Sequence, residues 1–145
     1  PEKNIILWVG CCPVHRALTP ADVMKAKKAH PGALLAVHPE CVPGVTRLAD
    51  MVGSTTAIIA YALAAEQGVI IGTERGVWDL LKTQHPHKEL YLLAPRKLTC
   101  PDMKYITPRT LLECIRGTGG EKIELDPAVM RGSRRCVEKM LELGG

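Results

Sequence analysis

The chain has 145 residues, 46% of them hydrophobic and 23% charged, which is enough apolar material for one ordinary core and excludes a disordered or low-complexity protein. The net charge of +4 is scattered rather than gathered into basic runs, and with no Phe and only 3% aromatics there is no base-stacking platform, so nucleic acid is not an expected partner and small anions are. Six irregularly spaced cysteines, with no signal peptide and no apolar run of membrane length, suit a reduced cytoplasmic protein without a membrane partner.

An apolar, strand-like run over residues 5–9 leads into Gly10-Cys11-Cys12-Pro13-Val14-His15, which places a thiol and an imidazole just past the end of a strand. By itself the motif is equally a pair of small buried cysteines beside a surface histidine. The chain begins at Pro1, directly before this run, as if cut from something longer. Thr19-Pro20-Ala21-Asp22 then has the form of a helix start, with Thr as N-cap, Pro at the first helical position and an acid in the first turn. This helix is expected to reach Ala29 and to stop at His30-Pro31-Gly32.

Residues 33–37 form a continuous apolar run of strand length, the pattern of a strand covered on both faces in a parallel sheet. His38-Pro39-Glu40-Cys41 stands at its carboxyl end, where open α/β sheets collect ligand-binding groups, although a lone His-Pro-Glu also suits a plain turn. A short helix is expected through Leu48. Gly53-Ser54-Thr55-Thr56 opens an apolar helix over residues 57–63, expected to be buried, with Ser54 as its cap; the same N-terminus could hold a carboxylate or phosphate.

Residues 69–72 form a further strand, and Gly72-Thr73-Glu74 opens a helix over residues 74–81 that Pro86 terminates. Glu74 suits capping better than catalysis. A strand over residues 89–93, a helix launched by Thr107-Pro108, a short strand over residues 123–125 and a helix over residues 127–143 complete the chain. Trp8 and Trp78 are expected in the core or at a domain contact, and Cys11, Cys114 and Cys136 as structural thiols.

The frame Cys-Pro-x5-Thr-Pro occurs twice, at Cys12 and at Cys100, 88 residues apart. Val23, Met24 and Lys27 fall opposite Leu111, Leu112 and Ile115, and Val37 falls opposite Leu125. Self-similarity at one offset indicates duplicated small α/β units. One cysteine at the same place in each unit would converge if the units packed about a common axis, an arrangement suited to a metal or cluster.

Five segments, Cys12-Pro13-Val14-His15, Ala36-Val37-His38-Pro39-Glu40-Cys41, Asp50-Met51-Val52-Gly53-Ser54-Thr55, Gly72-Thr73-Glu74-Arg75-Gly76 and Cys100-Pro101-Asp102-Met103-Lys104, resemble quinolinate synthase in order and over nearly the whole chain. The resemblance implies three-layer αβα units with short parallel sheets, set in a pseudo-threefold three-domain arrangement. By it, residues 1–15 end the second domain, residues 16–107 form the third, and residues 108–145 form a C-terminal helical segment that packs on the first domain.

The same resemblance implies that Cys12 and Cys100 ligate a 4Fe-4S cluster whose third thiolate lies in missing N-terminal domains. It implies condensation of iminoaspartate with dihydroxyacetone phosphate to quinolinate in NAD biosynthesis, with L-aspartate oxidase as a partner. His15, His38 and Glu40 become catalytic and substrate-binding residues, and Ser54 and Thr55 substrate-binding ones. A chain carrying half of such an enzyme is expected to be inactive alone. Two alternatives remain open: a mononuclear zinc or iron site built from Cys12, His15 and Cys100, and a non-catalytic interaction module derived from the family.

Overall fold

A computed structural model describes residues 4, 6 and 10–144. Apart from residue 6, the strand expected over residues 5–9 lies outside the described residues, as does Trp8. The chain divides into two compact units, Pro1–Met103 and Lys104–Gly145.

The first unit contains helix α1 (Pro13–Arg16), helix α2 (Pro20–Ala29), strand β1 (Leu34–Val37), helix α3 (Pro43–Thr46), strand β2 (Met51–Val52), helix α4 (Thr55–Ala64), strand β3 (Val69–Gly72), helix α5 (Arg75–Gln84) and strand β4 (Leu90–Leu92). The strands form one parallel sheet in the order β2-β1-β3-β4. An α/β fold with helices crossing between parallel strands is therefore established. Because the chain steps from β1 outward to β2 and then returns past β1 to β3, the connections leaving β1 and β3 diverge. Their carboxyl ends frame the crevice in which such sheets place ligands.

The sheet is buried on both sides, and the alternation of strand side chains decides which residues serve which face. Leu35, Val37 and Ile70 pack with Val14, Leu18, Val23, Val45 and Leu98 on one side. Ala36, Val69 and Ile71 pack with Ile58, Ala62, Leu81 and Leu90 on the other. Each large aliphatic chain removed from water contributes about 1.5–3 kcal/mol, so β1 and β3 anchor the unit.

Local chemistry sets the helix ends. Thr19 and Asp22 form a reciprocal capping box, with the Asp22 backbone N–H donating to Thr19 Oγ1 at 3.3 Å and the Thr19 N–H donating to Asp22 Oδ2 at 2.8 Å. Ser54 Oγ accepts the Ala57 N–H at 3.2 Å, as expected of a cap. Helix α5 runs to Gln84, beyond the expected Leu81, because nothing stops it until the residue before Pro86 is reached. Trp78 rests against the second face of the core and donates its indole N–H to the Leu90 carbonyl at 2.9 Å.

The structure corrects one expectation and adds one strand here. Helix α4 is only half buried: Ile58 and Ala62, four residues apart, face the core, whereas Ala60 is exposed. A sequence apolar on every face carries no mark of which face its own unit covers. Strand β2 was not foreseen; it is two residues long and is held in place by Asp50, whose Oδ2 accepts the Leu35 N–H at 2.7 Å.

The second unit contains helix α6 (Pro108–Ile115) and helix α7 (Pro127–Gly144). Thr107 and Thr110 repeat the reciprocal cap of Thr19 and Asp22, in agreement with the duplicated frame. The expected strand over residues 123–125 is absent: residues 121–126 form neither strand nor helix, because a three-residue stretch without a neighbouring strand has no ladder to join. Leu111, Leu112 and Ile115 are exposed on α6, as are Val129, Met130, Val137, Met140 and Leu141 on α7, so the apolar faces of both helices lie uncovered among the described residues. Cys114 and Cys136, expected as structural thiols, are exposed in this unit, as Cys11 is in the first.

Candidate active site

Three chain segments meet at the carboxyl edge of the sheet. Cys12 occupies the N-cap position of α1, and the single turn that follows turns His15 inward, where it is 6% exposed. His38 follows β1 directly and Glu40 lies two residues on. Thr73 and Glu74 follow β3, both buried.

His15 is the centre of this arrangement. Its Nδ1–H donates to Glu40 Oε2 at 3.1 Å, and its Nε2 lies 3.0 Å from the Thr73 hydroxyl, which donates to it in this tautomer. The His38 ring stacks on His15 with centroids 4.3 Å apart and planes inclined by 11°. The Glu40 backbone N–H donates to His38 Nδ1 at 3.3 Å, which leaves the His38 proton on Nε2. Burial, followed by the neighbouring His15, lowers the His38 pKa against the opposing pull of Glu40, so the ring favours its neutral form.

A ligand atom from each of Cys12, His15 and Glu40 lies within 4.8 Å of the other two, a combination of soft, borderline and hard donors. Cys100 stands outside that trio, although it and Cys12 pack, half-buried, against the same face of the core. The sequence alternative of a mononuclear site from Cys12, His15 and Cys100 shares two members with this trio, in which Glu40 rather than Cys100 lies close to them. Cys41, beside Glu40, is buried; its thiol donates to the Gly72 carbonyl at 3.7 Å, and burial pushes its pKa up to about 11. In the free protein it is held as a thiol at neutral pH.

Ser54 and Thr55 follow β2 at the same edge of the sheet, with the Ser54 hydroxyl engaged by the Ala57 N–H. Thr73, for which the sequence suggested no role, and Glu74, expected as a helix cap, also stand beside these residues. Thr73 fixes the inner nitrogen of His15, and Glu74, besides capping α5, accepts the Cys100 backbone N–H at 3.3 Å. Their position directly after β3 was the available signal.

A family model described as Quinolinate synthetase A protein matches residues 1–142. The chain belongs to the quinolinate synthase family. It is 46% identical over 147 residues to the quinolinate synthase of Caldicellulosiruptor saccharolyticus, an alignment covering 99% of this chain and 47% of that protein. It is 40% identical over 146 residues to that of Methanoregula boonei, covering 98% of this chain and 47% of the relative. With the quinolinate synthase of Aquifex aeolicus the identity is 38% over 150 residues, covering 99% and 46%. The chain thus spans about half the length of the curated relatives it matches, consistent with a C-terminal half of a quinolinate synthase. Among the described residues no helix is long and apolar enough to cross a membrane.

Proposed function

We propose that the chain is the C-terminal half of a quinolinate synthase of NAD biosynthesis, working in the cytoplasm, in which Cys12 and Cys100 ligate a 4Fe-4S cluster. The observation that carries this reading is the convergence of His15, His38 and Glu40 beside Cys12 at the carboxyl edge of the sheet. The thiols fit the group: Cys12 and Cys100 are unpaired, half-buried and packed on one face of the core, and Cys100 falls outside the tight trio. That separation suits a cluster, where each thiolate binds a different iron. The third thiolate comes from outside these 145 residues, from a domain related to this one about a pseudo-threefold axis, and the uncovered faces of α6 and α7 pack on that first domain. When bound through three thiolates, such a cluster supplies one open iron that polarises a substrate hydroxyl or carbonyl.

The substrates in this reading are iminoaspartate, supplied by an L-aspartate oxidase, and dihydroxyacetone phosphate; their condensation to quinolinate releases phosphate and water. His15 binds a substrate oxygen through Nδ1–H. That nitrogen is the one that can change partner, because Nε2 is fixed by buried Thr73 whereas the Glu40 side chain is 49% exposed. Glu40, released from His15, takes up and returns a proton as the acid–base group that dehydration and tautomerisation require, and neutral His38 donates its Nε2–H as a hydrogen bond to a substrate oxygen. The Ser54 and Thr55 backbone at the N-terminus of α4, with the Thr55 hydroxyl, holds a substrate carboxylate or phosphate.

The test is a split-enzyme assay for quinolinate under anaerobic conditions with iron and sulfide. The isolated chain is expected to form none, and the chain mixed with the N-terminal half of the Caldicellulosiruptor saccharolyticus enzyme is expected to form it. An inactive mixture with a fully assembled cluster would instead favour the non-catalytic module.

A further inference from the structure

We infer that Cys12, His15 and Glu40 also constitute a mononuclear site that takes one Zn2+ ion when no cluster occupies Cys12. This goes beyond the cluster reading, with which it shares Cys12 but not Cys100. Zinc bonds of about 2.0–2.3 Å bring tetrahedral ligand atoms to roughly 3.5 Å of one another, so a trio already within 4.8 Å closes on one ion by a contraction on the order of 1 Å.

The charges balance. A Cys12 thiolate and a Glu40 carboxylate together neutralise a divalent ion, and His15 binds as the neutral ring. Coordination through Nδ1 replaces its hydrogen bond to Glu40, the ring proton moves to Nε2, and Thr73 Oγ1, now 3.0 Å away as donor, becomes the acceptor. One proton, that of the Cys12 thiol, leaves to solvent. A buried oxygen that accepts from the second ring nitrogen fixes the tautomer of a ligating histidine, the role Thr73 Oγ1 takes here, and the stacked His38 ring restricts rotation of His15. The half-exposed Glu40 leaves the fourth position to water, the open geometry of a reactive rather than a structural zinc. Cluster and ion both require Cys12, so zinc captured first blocks cluster assembly.

The test is titration of the reduced 145-residue chain with Co2+ in the absence of sulfide, reading the thiolate-to-cobalt band in the near ultraviolet, followed by displacement with Zn2+. A band saturating at one cobalt per chain and abolished by zinc is expected. It should vanish in Cys12→Ala and in the shape-conserving Cys12→Ser. Affinity should fall at least about tenfold in Glu40→Gln and roughly 10- to 100-fold in Thr73→Val, and stay within about twofold in Cys100→Ala. No band at equimolar cobalt, a band surviving in both Cys12 variants, or one lost in a folded Cys100→Ala chain would overturn the inference. Cluster assembly depends on Cys100 and this band does not, so failure of the cluster reading leaves a different pattern.

Discussion

The two carboxylate oxygens of Glu74 tie the start of α5 to the backbone of Cys100: Oε2 accepts the Gly76 N–H at 2.6 Å, and Oε1 accepts the Cys100 N–H at 3.3 Å. Beside this link the Arg75 N–H donates to the Leu98 carbonyl at 2.7 Å, so the segment carrying Cys100 is pinned to the end of β3 at two points. Replacing Glu74 by Ala removes a cap and one of these points. Loss of about 1 kcal/mol in a denaturant melt is expected from the cap alone. Alkylation of Cys100 should also accelerate several-fold relative to Cys11, whereas Glu74→Gln, which keeps one carbonyl acceptor, should lie between. Equal Cys100 labelling in all three proteins would contradict the positioning role.

Gly72 closes β3 where a side chain has no room. A Cβ there would stand 2.7 Å from Val37 Cγ1 and 3.3 Å from Leu93 Cδ2. Val37 is fully buried and immediately precedes His38, so the displacement acts on both core and site. Gly72→Ala is expected to cost about 1–3 kcal/mol, as overpacked cores do, with a matching fall in the melting temperature.

Asp22 gives the first unit an acid-sensitive clasp. Burial is the largest single influence and pushes its pKa up, but hydrogen bonds from Lys97 Nζ at 2.7 Å and from the Thr19 hydroxyl and backbone N–H together outweigh it, and the pKa is lowered. A carboxylate with a depressed folded-state pKa contributes stability that is complete above its unfolded value near 3.8 and is lost as pH falls through the lower folded value. Wild type should therefore be more stable than Asp22→Asn at pH 7, and the gap should shrink below about pH 4. Thermal melts across that range check it; a gap that widens in acid has the wrong sign.

Cysteine accessibility divides the six thiols. Cys11, Cys114 and Cys136 are exposed, and Cys41 is buried with its pKa raised to about 11. Iodoacetamide at pH 8 should modify the exposed three first and Cys41 last, with Cys41 reacting only on unfolding. Peptide mapping of a time course reads this directly.

Much of this was legible in the chain itself. Thr19-Pro20 and Ser54 announced their helices, and the runs ending at Val37 and Gly72 are strands buried on both faces, because capping groups and apolar continuity are local signals. His38 and Glu40 could be placed beside a sheet edge because they follow the apolar run of β1, and His15 because it closes the Cys-Pro-Val-His motif; the roles expected of them came with the family resemblance. Their supports were not legible: Thr73 reaches His15 across 58 residues and Glu74 reaches Cys100 across 26, and a hydrogen bond at that separation leaves no periodicity. Strand β2 is too short to show alternation, and the apolar run of α4 could not reveal that only Ile58 and Ala62 would find the core. The run at residues 123–125 has strand composition but, among the described residues, pairs with no strand.

The most direct test of the central claim is anaerobic reconstitution with iron and sulfide of the chain together with the N-terminal half of a quinolinate synthase, followed by iron and sulfide analysis and visible absorption. One 4Fe-4S cluster per complex is expected, lost in Cys12→Ala and in Cys100→Ala and retained in Cys11→Ala. A cluster spectrum unchanged in either of the first two variants would contradict the assignment.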